Sequence, residues 1–210
     1  MSTTDTPAPG RMEREFRDKR AAGRKLLVPY LTGGYPGWKP EPKASLVMTY
    51  YNTVHHAGHE RFAAQLAAAG IVAAIVPDLP LEESGAWCVA ADAAGIETVM
   101  LAAPTAPDDR LPRVAARARG FLYSVGLLGV TGERSQLAGT ALSLARRLKA
   151  ITDVPVLVGV GVSNAEQARE AVAVADGVVM GASVVRRMLE GGADAVGEYV
   201  AEVRHALDHA

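Results

Sequence analysis

The chain has 210 residues, 49% hydrophobic and 21% charged, with a formal net charge of −1. That is the profile of one globular domain with a sizeable core, and its near-neutral balance argues against nucleic acid or a membrane surface as a general partner. No apolar run approaches the roughly 20 residues of a membrane helix, and the single cysteine, Cys88, excludes an internal disulfide and makes the cytoplasm the default location.

The first ten residues, "MSTTDTPAPG", are polar and contain proline. They predict a disordered tail over 1–10, ahead of a single domain over 11–210. "RMEREFRDKRAA" predicts a charged surface helix ended by Gly23. Strands are expected over Lys25–Leu31 and Leu46–Tyr51. The link between them holds prolines 36, 40 and 42, which disfavour a helix. From there the pattern alternates. A helix over His59–Ala69 closes at Gly70, and the apolar run "IVAAIVPD" follows. "LEESGAWCVAADAAG" predicts a helix with Glu82 and Glu83 favourably placed in its first turn. "IETVMLA" is a strand, and "PDDRLPRVAARA" a helix that Pro112 should confine to short pieces. "GFLYSVG" is a strand, "LLGVTGERSQ" a glycine loop, "LAGTALSLARRLKAI" a helix and "VPVLVGVG" a strand. "SNAEQAREAVAVA" reads as a helix with Ser163 as N-cap and Glu166 three residues on. "DGVVMG" is the last strand, and two helical pieces are expected around Val184–Leu189 and Ala193–Ala206.

Seven apolar strands alternating with helices imply a parallel sheet buried on both faces. A (β/α) barrel and a doubly wound sheet both fit. Either fold places ligands at the C-terminal ends of its strands. Those ends carry Tyr50, Asn52, Asp78, Ala102–Pro104, Tyr123, the "GVTG" loop with Thr131 and Gly132, "GVGVS" with Gly161, and "MGASVV" with Gly181 and Ala182. Taken singly, "GVGVS" is a turn. Three glycine segments, each followed by a helix start, point to an anion and to phosphate in particular. Asp78 alone reads as a cap for the helix after it. His55, His56 and His59 lack the carboxylate or cysteine spacing of a metal site, so none is assigned. Cys88 and Trp87 read as core residues, and Trp38 as packing.

Together "LVPYLTGGYPGW", "LVMTYYNTVHHAGHERFA", "AGIVAAIVPDLPLEES", "GFLYSVGLLGVTG", "VPVLVGVGVSNAEQA" and "DGVVMGASVV" resemble, in order, segments of the tryptophan synthase α subunit. The resemblance implies a TIM-type (β/α)₈ barrel that cleaves indole-3-glycerol phosphate to indole and glyceraldehyde 3-phosphate. It implies no cofactor, and a pyridoxal-phosphate β subunit as partner. It places Tyr30, Tyr50, Asn52, Asp78, Tyr123 and Thr131 around the substrate, and Gly132, Gly161, Gly181 and Ala182 around its phosphate.

The resemblance also defines a gap. Between "GYPGW" and "VMTYYN" the family carries the first barrel helix, the second strand and the next helix, with a catalytic glutamate and a catalytic aspartate in "PFSDP…ADGP". Neither motif is present, and "KPEPKAS" stands there instead. No residue is therefore assigned as catalytic. Thr131 loses its usual aspartate partner, Gly126–Leu128 lacks an arginine that some members carry, and Ala182 stands where a serine often binds phosphate. The expected fold is a barrel of seven strands lacking the second strand and its flanking helices, open or gapped at Leu27–Leu31 and Leu46–Tyr51, with self-association through that seam. The expected ligand is a small phosphorylated indole substrate or analogue, and contact with the β subunit is expected to be weakened. Three roles stay open at this point: an impaired lyase, a silent regulatory partner of a β-type subunit, or new chemistry on the old phosphate site.

Overall fold

Residues 8–31, 45–126, 134–159 and 161–210 are described by a computed structural model, with residues 134–138 described for their backbone alone. Among the described residues seven strands form one sheet: β1 (Leu26–Pro29), β2 (Ser45–Met48), β3 (Ile71–Ile75), β4 (Glu97–Ala102), β5 (Leu122–Ser124), β6 (Val156–Val158) and β7 (Gly177–Met180). Their order is β1-β7-β6-β5-β4-β3-β2, and every pairing is parallel. The first two strands in the chain are thus the two edges of the sheet. They do not pair with each other, and the TIM-type barrel is open between them.

The helices are α1 (Arg11–Ala21), α2 (Tyr51–Ala57), α3 (His59–Ala68), α4 (Gly85–Ala93), α5 (Arg110–Arg117), α6 (Arg134–Lys149), α7 (Ala165–Val172) and α8 (Ala182–Asp208). α8 breaks at Gly192, where φ is 69°, so the two helical pieces expected there are both present. Alternation within the strands sorts the core into an inner and an outer layer. Leu26, Ile75, Val99, Phe121, Leu157 and Val179 meet inside the barrel. Val156, Val158, Val178 and Met180 face outward onto the helices. Trp87 is buried against Phe62 on the α3–α4 side, and Cys88 is a buried free thiol.

α1 closes the N-terminal end of the barrel. Its Met12 and Phe16 enter the inner core, and Phe16 lies 6.0 Å from Phe121, centroid to centroid. The helix is held by a carboxylate from the sheet. Glu97 accepts the amides of Met12 at 2.7 Å and Glu13 at 2.9 Å, in the first turn, where no carbonyl inside the helix can accept them. Gly10 lies so close to Glu97 that a side chain there would overlap it. Burial raises the Glu97 carboxyl above its ordinary value, and the two amides oppose that rise. A raised carboxyl pKa means that the folded chain takes up a proton in the interval just above an unfolded glutamate's value of about 4.3. Stability therefore falls as pH rises through that interval and stays lower above it. Glu97→Gln is expected to flatten the dependence of the urea midpoint on pH between about 4 and 7; an unchanged slope would refute the assignment.

Five local expectations are corrected. Tyr51 ends no strand but begins α2, because its amide is captured by Asp78 Oδ1 at 2.8 Å. Asp78 therefore caps the start of α2, earlier in the chain, rather than the helix after it. Glu82 and Glu83 precede α4, whose first residue is Gly85; Glu82 instead pairs with Arg110 at 2.8 Å. Pro112 does not fragment α5, since it sits in the first turn, where a missing N–H is harmless. The N-cap of α7 is Asn164, not Ser163: Asn164 Oδ1 accepts the Gln167 amide at 2.8 Å, and Gln167 Oε1 accepts the Ser163 amide.

Candidate functional site

The C-terminal ends of the strands form a mouth above the inner core. From β1, Tyr30 donates its amide to Met180 O at 2.8 Å, and its ring lies against Gly181. From β5, Tyr123 is half-buried in the barrel and donates its hydroxyl to Gly159 O at 3.3 Å. Burial pushes the Tyr123 phenol above its usual pKa, which keeps it protonated at neutral pH. Gly159 carries no side chain for a steric reason: a Cβ would overlap the Tyr123 ring. After β6, Gly161 takes φ +79°, a conformation closed to most other residues.

β7 runs through Gly181 into α8. The first amide to bond back within α8 is that of Val185, to Gly181 O at 3.0 Å. The amides of Ala182, Ser183 and Val184 lie in the first turn, where no helix carbonyl can accept them. Ser183 Oγ reaches back to Val162 O at 3.4 Å, tying this turn to the Gly161 loop. Ser183, buried at the helix start, is a site neighbour that the sequence reading did not single out; its place in "GAS" was the signal for it.

A cleft of about 1530 Å³ joins this mouth to the open seam between β1 and β2. Tyr30, Tyr123, Gly161, Gly181 and Ala182 all line it, together with Gly159 and Ser183. Tyr50, Asn52 and Asp78 do not. They stand on the rim beyond β2, where Tyr50 is 66% exposed and Asn52 Oδ1 is taken up by the Thr53 amide at 2.8 Å. Thr131 and Gly132 lie outside the described residues, as does the link at 32–44. The carboxylates that line the cleft, Glu15 and Glu170, come from α1 and α7 and not from a strand end. His59, in α3, is bonded to the Tyr51 hydroxyl at 3.0 Å.

The fold and the mouth define an open TIM-type barrel with a cleft at the C-terminal ends of its strands. The model of the family "Tryptophan synthase alpha chain" matches residues 42–207. The chain belongs to the tryptophan synthase α chain family. It is 48% identical over 155 residues to the α chain of Streptomyces coelicolor, covering 74% of this chain and 57% of the relative. It is 38% identical over 194 residues to that of Rippkaea orientalis, covering 90% and 73%. A structure of Mycobacterium tuberculosis tryptophan synthase superposes with a TM-score of 0.84 at 28% identity, covering 95% of this chain and 99% of that one. Against the Streptomyces coelicolor and Streptomyces avermitilis relatives the chain spans only 57% and 56% of their length.

Proposed function

We propose that the chain is a cytoplasmic binding component of tryptophan biosynthesis, which holds a phosphorylated indole substrate or analogue in the barrel mouth without the acid and base that cleave it. The observation that carries this reading is the convergence of Gly161, Gly181 and the open first turn of α8 on one cleft. Amides at a helix start and beside a left-handed glycine suit a phosphate. The inner core beneath, with Tyr123 and Phe121 in edge contact at 6.3 Å, offers an aromatic surface for the ring. Thr131 and Gly132 complete the site on the strength of the family resemblance, and Tyr50, Asn52 and Asp78 form its rim. The proposal assigns no cofactor, no metal and no catalytic residue.

Titration of the chain with glycerol 3-phosphate in a calorimeter tests the phosphate site. Saturable binding is expected. Ala182→Pro removes one amide at the first helical position, where proline is well tolerated. Losing one hydrogen bond to a charged group should weaken binding by roughly 10- to 100-fold. Heats no larger than dilution at millimolar ligand would reject the site.

A second reading, a silent partner of a β-type subunit, is favoured by the Asp78–Tyr51 bond. That bond ties the helix bearing Asn52 to the "DLPLEE" segment. A weak complex or none is expected on size exclusion with a β subunit, because the segment between β1 and β2 is so short. The half-exposed Met48 and Tyr30 beside the open seam make self-association the expected behaviour at high protein concentration.

A further inference from the structure

The five histidines of the chain fall into two groups. His55, His56 and His59 lie on α2 and α3, where His59 is committed to the Tyr51 hydroxyl. His205 and His209 stand at the C-terminal end of α8, in its last turn and at its C-cap. Residues four apart in a helix share one face. The two rings are the closest ring pair among the described residues, with centres 4.3 Å apart and planes inclined by 46°. Both side chains are exposed.

The local hydrogen bonding prepares one of them as a ligand. His209 Nδ1 donates to the His205 carbonyl at 2.8 Å. A neutral imidazole with its N–H at Nδ1 keeps its lone pair at Nε2. Metal-binding histidines carry this same second bond from the nitrogen that does not face the ion. The place also suits a cation. The last carbonyls of a helix hold its partial negative charge, and the exposed Glu202 stands one turn before His205. Asp208 is bonded to Arg204 at 2.7 Å, so that pair adds no net charge.

The ring spacing selects a coordination geometry. A metal–imidazole bond of about 2.0 Å puts each ring centre roughly 3.1 Å from the ion. Ring centres 4.3 Å apart then subtend about 90° at the ion, whereas two ligands of a tetrahedral site would need centres about 5 Å apart. A right angle between neighbouring nitrogens is the geometry of a tetragonal site, which Cu(II) favours, and Cu(II) also binds nitrogen donors most tightly among the first-row divalent ions. Among the described residues no three side chains of histidine, cysteine, aspartate or glutamate are grouped to hold a metal. The site is therefore an open one with two protein ligands.

We propose that His205 and His209 form a two-imidazole site for a divalent transition-metal ion, Cu(II) foremost, with water in the remaining positions. The ion closes the last turn of α8. That turn holds the chain just ahead of β1, because Arg204 Nη1 donates to the Lys25 carbonyl at 2.7 Å and Ala206 and Leu207 are buried beside it. The proposal is independent of the phosphate site.

Copper(II) chloride is titrated into the full chain in a calorimeter, in a buffer that does not chelate. One copper per chain is expected. With both imidazoles on one turn the second binds intramolecularly, so His205→Ala or His209→Ala should each weaken binding roughly 100-fold. The double variant His55→Ala/His56→Ala should bind like the parent. The electron paramagnetic resonance spectrum of the parent complex should show splitting from two nitrogens, lost in either α8 variant. The urea midpoint of the parent should rise with copper, and that of His205→Ala/His209→Ala should not. Binding that survives the α8 double variant overturns the proposal, as does binding abolished by the α2 pair. A spectrum from a single nitrogen in the parent, or no saturable heat at submillimolar copper, also overturns it. So does an unchanged parent midpoint at saturating copper, which would mean that the folded helix does not make the site.

Discussion

Given indole-3-glycerol phosphate, the purified chain is expected to release indole roughly several thousand-fold more slowly than a full-length relative such as the Streptomyces coelicolor α chain, since each well-placed acid or base contributes about 10²–10⁴ in rate. The reaction implied by the family resemblance breaks a C–C bond. It needs a proton delivered to indole C3 and a proton taken from the side-chain hydroxyl as the aldehyde forms. The resemblance assigns those tasks to a glutamate and an aspartate, and neither "PFSDP" nor "ADGP" occurs in this sequence. The cleft holds no evident replacement among the described residues. Glu15 is paired with Lys19 at 2.6 Å on α1, and Glu170 lies on α7. Asp78 already accepts the Tyr51 amide and stands outside the cleft. Tyr123 is inside it, but burial pushes its phenol pKa up, which makes it a poorer acid and its basic phenolate form scarcer. Assays alone and with a β subunit measure the rate. Robust indole release, lost on Asp78→Asn, would identify a replacement acid and sink the expectation.

Much of the architecture was legible because it depends on composition along the chain. Apolar runs of strand length between amphipathic stretches determine a parallel α/β fold. The segment that the family resemblance shows to be missing between β1 and β2 was enough to place the opening in the barrel. What was not legible depends on contacts between distant residues. Tyr51 looks like the end of a β-rich run, and only Asp78, 27 positions away, turns it into a helix start. Glu97 reads as the polar beginning of a strand; its role as the acceptor for α1 is visible only when residues 84 and 85 positions apart are brought together by the fold. Local cap chemistry was misplaced by one residue at Ser163 because two adjacent side chains, Ser163 and Asn164, are both competent caps. The candidate site divided along the same line. Glycines at successive strand ends, Gly161 and Gly181, meet because topology brings all strand ends to one face. Tyr50, Asn52 and Asp78 share that face but do not line the cleft.

Gly177→Ala is expected to release β1 from the sheet. Gly177 pairs with Leu26 in the β1–β7 register, and the approach is too close for any side chain. A Cβ at position 177 would sit 2.5 Å from Leu26 Cβ and equally close to the Leu26 carbonyl. The obstruction is backbone, so a rotamer change cannot relieve it, and the strands must move apart. In a closed barrel β1 would be held from both sides. Here it is an edge strand, with β7 as its one neighbour in the sheet, so displacement breaks its whole ladder. Overpacking of this kind costs about 1–3 kcal/mol, or roughly 2–12 °C in Tm for a domain of this size. The effect should be local as well as global. Exchange at Leu26 and Val28, whose amides face β7, should accelerate, while β4 and β5 at the centre of the sheet keep their protection. The mouth should feel it too, because Tyr30 follows β1 and its amide bond to Met180 O holds its ring beside Gly181. A variant that melts like the parent, with Leu26 and Val28 still protected, would mean that β1 is anchored by something other than β7.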